Sequence, residues 1–256
     1  MLAKISSITI VKNDETNITN CINSLKKCAD EVIVLVDSSS TDKTLEIVKS
    51  IPAIKYEEVK WNGFALTKQY AVSLSTNDNI LWLDSDEVLS EELILEINHL
   101  KNDKASNDAY SMPRKAIFIG KWIKHGGWYP GRVVRLFNKK DASFNDNKVH
   151  EGLKFNSSVN IIELKNDIIH FTDRNLVHYL NKLNLYTSLA AEELDDKGKN
   201  VTLLDIIFRP FWIFIKMYLI KGGLLDGIHG FLLASYSSFY VFTKYTKLWE
   251  LKQVKK

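Results

Sequence analysis

Residues 80–90 read ILWLDSDEVLS, an apolar segment that runs directly into Asp84, Asp86 and Glu87. Three acids within four residues repel one another unless a helix terminus, a cation or free solvation relieves them. In extended chain the side chains of positions i and i+2 point the same way, so Asp84 and Asp86 could share one cation. In the alternative interpretation, these acids cap the helix expected to begin near Ser90 and are stabilised by its dipole.

The same pattern occurs at two earlier apolar segments. Strands expected at Ile5–Val11 and Glu31–Val36 run into the polar stretches KNDE (12–15) and DSSSTD (37–42), and Ile80–Leu83 runs into DSDE (84–87). Between these strands, apolar residues recur at helical spacing. This alternation of strand and helix predicts an α/β fold with a mostly parallel, Rossmann-like sheet and flanking helices. Ligands bind beyond the carboxyl ends of such strands, so we expect the three polar stretches to gather at one edge of the sheet.

Composition narrows the class of function. The 256 residues carry a formal net charge of +3, too small to indicate nucleic acid as a partner. The first 62 residues contain no glycine, which excludes a GxGxxG or P-loop motif at the first strand-to-helix turn. A nucleotide diphosphate at this edge would therefore need something other than a glycine loop to neutralise it, and a divalent cation, Mg²⁺ or Mn²⁺, held by carboxylates would do so. The N-terminus lacks the apolar region of a secretory signal, so a cytoplasmic location is expected.

The C-terminal part of the chain differs in composition. We expect a catalytic domain over residues 1–172, with a nucleotide-binding half (1–100) and an acceptor-side half (101–172), followed by a helical region over 173–256. Residues 204–256 contain 12 of the 28 aromatic residues and a net charge of +5. Aromatic, basic helices of this kind lie in the headgroup region of membranes. Packing against the catalytic domain or against a second subunit is the alternative interpretation.

Seven stretches together resemble family 2 glycosyltransferases, which are inverting enzymes with a GT-A fold. They are ITIVKNDETNITNCINSL, EVIVLVDSSSTDKTLEI, ILWLDSDEVLSEEL, HGGWYPGRVVRLF, NKVHEGL, HYLNKLNLYTSLAAEEL and SSFYVFTKYTKLWEL. The last four are similar to the branch that contains the β-1,4-glucosyltransferases of the lipopolysaccharide core. The Asp-x-Asp motif is shared by many sugar transferases, whereas the combination of the other motifs is more specific.

The resemblance implies roles for individual residues. Asn13 and Glu15 would line the nucleoside pocket, Asp37 would hydrogen-bond the base, and Lys68 would lie near the base or the phosphates. Asp84 and Asp86 would form the metal motif, with Asp86 the direct ligand.

An inverting transfer also needs one base that takes a proton from the acceptor hydroxyl. Glu151 is the preferred candidate and Asp146 the second, while His150 and His170 are candidate further ligands. Arg132 and Arg135, expected on one face of a strand, could supply a guanidinium to the diphosphate.

The expected function is therefore transfer of a hexose, with glucose from UDP-glucose the leading donor, to a lipopolysaccharide-core or related glycolipid acceptor. The expected location is the cytoplasmic surface of the inner membrane, and a homo-oligomer is left open. A nucleotidyltransferase and a non-catalytic binding protein at the membrane are the two rival interpretations.

Overall fold

The computed structural model describes residues 4–101, 108–144, 152–156, 158–173 and 175–254. The contacts within the chain divide it into two compact units. The first comprises the chain up to Arg114 together with Arg132–Phe171, and the second comprises Lys115–Gly131 and the chain from Thr172 onward. The domain boundaries expected from sequence stay a prediction.

The first unit is built around a seven-stranded mixed sheet. Its strand order is β12-β6-β9-β4-β1-β2-β3, in which β1 pairs in parallel with β2 and β4, β2 with β3, and β12 with β6. The strands are β1 (Ile5–Val11), β2 (Glu31–Asp37), β3 (Lys55–Val59), β4 (Asn79–Trp82), β6 (Ala109–Met112), β9 (Val133–Asn138) and β12 (Ile161–Glu163). Strand β9 lies antiparallel between β4 and β6, so the sheet is mixed.

Helices cover both faces of this sheet because its strands are apolar on both sides. Val32, Val34 and Val36 of β2 pack into one core cluster, and Ile33 and Leu35 pack into the other. Near-continuous apolar strands of this kind are typical of doubly covered sheets. The helices are α1 (Ile18–Lys26), α2 (Thr44–Ser50), α3 (Phe64–Ser73) and α4 (Glu91–Leu100).

Shorter strands of the first unit surround the carboxyl end of β4. Strand β5 (Glu87–Leu89) pairs antiparallel with the start of β13 (Ile168–Asp173), and β10 (Ala142–Phe144) pairs with β11 (Leu153–Phe155). The register of the first pair places Glu87 opposite His170. This pairing brings a histidine from the end of the unit to the acidic stretch that follows β4.

The second unit is mainly helical. It holds most of β7 (Arg114–Phe118), β8 (Lys121–Trp122), and the helices α5 (Leu176–Asp196), α6 (Leu203–Ile215) and α7 (Ile228–Val254). A π-helical turn (Lys216–Ile220) and a 3₁₀ turn (Gly223–Asp226) join α6 to α7. At the second turn α7 approaches so closely that a Cβ on Gly230 would lie 1.8 Å from the carbonyl oxygen of Gly223. None of the described helices combines the length and the apolar character needed to cross a bilayer.

Candidate active site

The three polar stretches meet at one edge of the sheet, as the sequence predicts. The Asn13 Oδ1 atom accepts a hydrogen bond from the Thr41 backbone at 2.7 Å. The Asp14 carboxylate accepts one from the Ser85 hydroxyl at 2.8 Å, and the Asp14 backbone donates to the Thr44 hydroxyl. Side chains and backbone groups following β1 thus connect the polar stretches that follow β2 and β4.

Asn13 and Glu15 are fixed by the stretch that follows β2. Asn13 has a φ of 50°, a left-handed conformation that asparagine tolerates better than most residues. The Glu15 carboxylate accepts a hydrogen bond from the Lys43 backbone at 3.0 Å, and the Glu15 backbone donates to Asp42. Both predicted nucleoside-binding residues therefore lie at the shared edge and are held in one conformation.

Asp37, at the end of β2, is buried, with 2% of its surface exposed. Its Oδ1 atom accepts hydrogen bonds from the backbone and the hydroxyl of Ser39 at 2.9 and 2.8 Å. Its Oδ2 atom lies 3.1 Å from the Lys12 ammonium but accepts no well-aligned hydrogen bond from the described residues. Burial raises the pKa of Asp37, yet the Ser39 and Lys12 contacts outweigh it and hold that pKa below its usual value. Asp37 is therefore ionised, with acceptor capacity remaining on Oδ2.

Asp84 lies between two cationic side chains. Its Oδ1 atom is 3.3 Å from the Lys68 ammonium, and its Oδ2 atom accepts a hydrogen bond from Arg135 at 2.7 Å. Desolvation raises the pKa of Asp84, but Arg135 and then Lys68 hold it well below the usual range. Both cations also contact the Trp82 ring, with Lys68 Nζ 3.6 Å and Arg135 Cζ 3.8 Å from its centroid. Cation–π contact and ion pairing together stabilise two buried charges.

Glu87 is the site residue to which sequence reasoning gave no role of its own. It is fully buried, and its Oε1 atom accepts a hydrogen bond from Arg135 at 2.6 Å. Arg114 is 3.5 Å from the same oxygen, while Oε2 accepts from the Asp84 backbone. Desolvation lowers the pKa of Arg135, but Glu87 and Asp84 outweigh it and hold that pKa above its usual range. The apolar neighbours Val88 and Leu89 were the available signal, since they indicate a strand that begins at Glu87.

Two expectations about local geometry are wrong. The chain is not extended at Asp84–Asp86, because the Asp84 carbonyl accepts a hydrogen bond from the Glu87 backbone at 3.0 Å and closes a turn. Asp84, Asp86 and Glu87 also do not cap α4. Its N-terminal cap is the Ser90 hydroxyl, which accepts a hydrogen bond from the Leu93 backbone. The three acids are instead compensated by side chains distant in sequence.

Asp86 lies beside His170, the histidine that the pairing of β13 with β5 delivers. Its Oδ2 atom is 3.3 Å from His170 Nε2, and its backbone carbonyl accepts from the Phe171 backbone. The side chains of Asp86 and His170 are 26% and 16% exposed, so both can be reached by a ligand.

The Asp86–His170 pair is suited to supply part of the ligand shell of a cation. No group of three or more histidine, cysteine or acidic side chains suited to a metal occurs within the described residues. Mg²⁺ and Mn²⁺ at nucleotide sites need only one or two protein ligands, because phosphates and waters complete the shell. A carboxylate beside an imidazole suits such an ion.

Other predicted residues have different outcomes. Three of them lie outside the described residues: Glu151, Asp146 and His150.

Arg132 and Arg135 do not share a face, because three positions along a strand reverse the direction of the side chain. Arg132 donates to the Leu164 carbonyl and pairs with Glu163. Lys68 is 2% exposed, and its predicted contact with the base or the phosphates stays a prediction.

Known proteins resemble this chain over most of its length. The model of the family described as glycosyl transferase family 2 matches residues 6–161. An uncharacterized glycosyltransferase of Rickettsia typhi is 33% identical over 98% of this chain and 88% of the relative. The lipopolysaccharide core biosynthesis glycosyltransferase LpsC of Rhizobium meliloti is 28% identical over 98% of this chain and 94% of that protein.

A solved structure has the same fold. The mannosyltransferase PcManGT from Pyrobaculum calidifontis, in complex with GDP-Man and Mn²⁺, superposes with a TM-score of 0.56 at 13% identity over 97% of this chain and 87% of that one. At that identity the likeness establishes the fold, a GT-A-like α/β arrangement with a mixed sheet and C-terminal helices. Since the family match spans more than half of the chain, the protein belongs to glycosyl transferase family 2 and is a glycosyltransferase that uses a nucleotide-sugar donor.

Proposed function

We propose that this enzyme transfers a hexose, glucose from UDP-glucose, to a lipopolysaccharide-core or related glycolipid acceptor with inversion at the anomeric carbon. The observation that carries the proposal is the meeting of the polar stretches after β1, β2 and β4 through the Asn13–Thr41 and Asp14–Ser85 hydrogen bonds. This edge presents Asp37, Asp84 and Asp86 at the end of a doubly covered sheet, where ligands bind in α/β folds.

The nucleoside end of the donor would lie near Asn13, Glu15 and Asp37. The Asp37 Oδ2 atom lies 3.1 Å from the Lys12 ammonium and accepts no well-aligned hydrogen bond from the described residues, so it can still accept one from a ligand that supplies a donor. The imide N–H of uracil is such a donor, which supports UDP as the nucleotide.

The diphosphate end would lie at Asp84, Asp86 and His170. A bound Mg²⁺ or Mn²⁺ would neutralise negative charge on the departing diphosphate. Asp86 is the proposed direct protein ligand, and His170 stands next to it. Lys68 and Arg135 fix the orientation of the Asp84 carboxylate, so they act on the donor through Asp84.

Glu151 is the proposed catalytic base. The acceptor hydroxyl would transfer its proton to the Glu151 carboxylate as its oxygen bonds to the anomeric carbon of the sugar. The bond from that carbon to the diphosphate oxygen breaks in the same step, and UDP leaves. Attack from the side opposite the leaving group gives inversion.

The proposed acceptor and location rest on two observations. LpsC of Rhizobium meliloti, named for lipopolysaccharide core biosynthesis, aligns with 98% of this chain. The aromatic and basic composition of residues 204–256 favours a position at the cytoplasmic surface of the inner membrane, where a lipid-linked acceptor is presented.

A panel of nucleotide sugars tests the proposal. We expect UDP release from UDP-glucose with Mg²⁺ or Mn²⁺, accelerated by lipopolysaccharide-core glycolipid, and a β-linked product from an α-linked donor. Release of pyrophosphate would instead indicate the rival nucleotidyltransferase. No nucleotide release from any donor in the presence of membrane extract would contradict the proposal.

A further inference from the structure

The outward side of α6 is apolar. Its exposed apolar side chains occupy two adjacent rows of the helix at spacings of four residues, and each is 53–70% exposed: Leu203, Leu204, Ile207, Phe208, Phe211 and Trp212. The opposite side, which includes the buried Pro210, packs against α7 within the second unit. A surface helix usually shows a polar side to water, and α6 departs from this pattern.

The apolar side continues through the two turns that follow α6. Five further large side chains in these turns and at the start of α7 are 55–72% exposed: Leu219, Ile220, Leu224, Leu225 and Ile228. We name these eleven residues the α6 apolar surface. Contiguous apolar surface of this extent marks an interaction site, because leaving it in water is unfavourable.

Exposed charge within residues 203–228 is all of one sign. Arg209, Lys216 and Lys221 are exposed cations. Asp205 is largely covered and is paired with Arg209, and Asp226 is 3% exposed and bonded to the His125 backbone. An apolar surface whose exposed charges are positive complements a membrane with anionic headgroups.

A groove of about 380 Å³ opens beside this surface, between α6 and α7. Phe208, Trp212 and Tyr245 line it together with Arg209 and Lys244. Both cations approach the Tyr245 ring, with Arg209 Cζ 5.3 Å and Lys244 Nζ 4.9 Å from its centroid. Burial and then repulsion from Arg209 lower the pKa of Lys244, an effect that Glu193 partly offsets. Two cations that converge beside aromatic rings suit a phosphate group with an adjoining apolar chain.

We propose that the α6 apolar surface lies in the headgroup region of an anionic phospholipid membrane, with a lipid phosphate in the groove between Arg209 and Lys244. A second copy of this chain is the less suitable occupant. A two-fold interface would gather Lys216 and Lys221 of both copies on one surface, with no exposed acid within residues 203–228 to compensate them. The proposal rests on the proposed function only for the glycolipid acceptor that such a membrane carries.

Vesicle flotation without donor or acceptor tests the proposal. The protein should bind vesicles of phosphatidylcholine with phosphatidylglycerol and bind pure phosphatidylcholine more weakly. The double variant Phe211→Asn/Leu225→Asn should bind about 100-fold more weakly, since each side chain contributes about tenfold when buried. The matched control is Val177→Asn/Leu185→Asn, which changes two comparably exposed residues on α5.

The charged residues have their own test. Lys216→Gln/Lys221→Gln should weaken binding to the anionic vesicles by about 25-fold, because each lysine near such a surface contributes about fivefold. The control Lys49→Gln/Lys60→Gln removes the same charge from exposed positions of the first unit and should bind like the wild type.

Two outcomes would overturn the proposal. One is wild-type protein that does not float with anionic vesicles, or that floats equally well with the Phe211→Asn/Leu225→Asn changes. The other is a dimer, detected by light scattering, that those changes dissociate, since the surface would then be an interface between two copies. UDP release from the donor needs no vesicle, so failure of this proposal and failure of the proposed function are separable.

Discussion

Glu87 and Arg135 form a buried ion pair at this site. Each is almost completely buried, and they are joined by a 2.6 Å hydrogen bond. Loss of the Glu87 charge would leave two buried cations, Arg135 and Lys68, to share the Asp84 carboxylate, which costs more than the pair contributes. The pair also orients the Arg135 nitrogen that bonds Asp84, so its effect reaches the proposed donor site.

Replacement of Glu87 should therefore cost stability. Glu87→Gln removes the negative charge beside Arg135, and we expect the free energy of unfolding to fall by about 3 kcal/mol. Urea unfolding followed by circular dichroism measures the change. The control is Glu46→Gln, an exposed acid of α2. Equal stability of both variants would show that the buried pair is not needed for the fold.

Asp86 should matter for activity and little for stability. Its side chain is a quarter exposed beside His170, so Asp86→Asn removes the charge of the proposed metal ligand without emptying a core position. We expect at least a 100-fold loss of UDP release with Mn²⁺, and an unfolding midpoint close to that of the wild type. Asp78→Asn, which changes an exposed acid paired with Lys140, should keep full activity. Retention of activity by Asp86→Asn would remove Asp86 from the proposed metal site.

At the scale of elements, the start of β2 connects its neighbours through one carboxylate. Glu31 accepts hydrogen bonds from Ser6 of β1, from Lys55 of β3, and from the Thr76 backbone before β4. Partial burial raises the pKa of Glu31, but these hydrogen bonds outweigh it and lower the pKa to about 2. The parallel strands are thus held together at the end opposite the proposed active site.

The lowered pKa of Glu31 predicts how the stability of the fold depends on pH. The folded-state pKa lies below the unfolded-state value, so the stabilisation is complete above about pH 4.5 and is lost as the pH falls toward 2. Glu31→Gln should therefore be less stable than the wild type by on the order of 2 kcal/mol at pH 7, and the difference should vanish near pH 2. Urea unfolding across this range measures it. A difference that does not change with pH would contradict the assigned cause.

The element patterns also show which parts of the fold the sequence could predict. Strands β1, β2 and β4 follow from short apolar runs that end in polar residues, which is a local signal. The sequence RVVRLF also predicts a strand, β9, but it carries no local signal for the partners or the direction of that strand. The structure places β9 antiparallel between β4 and β6. The sheet is mostly parallel as predicted, since six of its seven strands run in one direction, and the antiparallel β9 makes it mixed.

At the scale of the whole molecule, the donor and the cation should stabilise the fold together. A ligand that binds only the folded state stabilises it by about 2.7 kcal/mol at 100 times its dissociation constant. For a chain of this size we expect UDP with Mn²⁺ to raise the melting temperature by roughly 5–10 °C. Differential scanning fluorimetry measures the shift. UDP without Mn²⁺ should give a smaller shift, and Asp86→Asn should remove the contribution of Mn²⁺.

The sequence by itself determined the class of sheet and the edge at which its polar residues gather. Apolar periodicity is a property of neighbouring residues, and parallel strands bring their carboxyl ends together whatever their order. Only the tertiary structure decided the partners of the acids, because Arg135 lies 48 residues beyond Glu87 and His170 lies 84 beyond Asp86. It also decided that the apolar side of α6 faces outward, since helical periodicity identifies an apolar side but not what that side contacts.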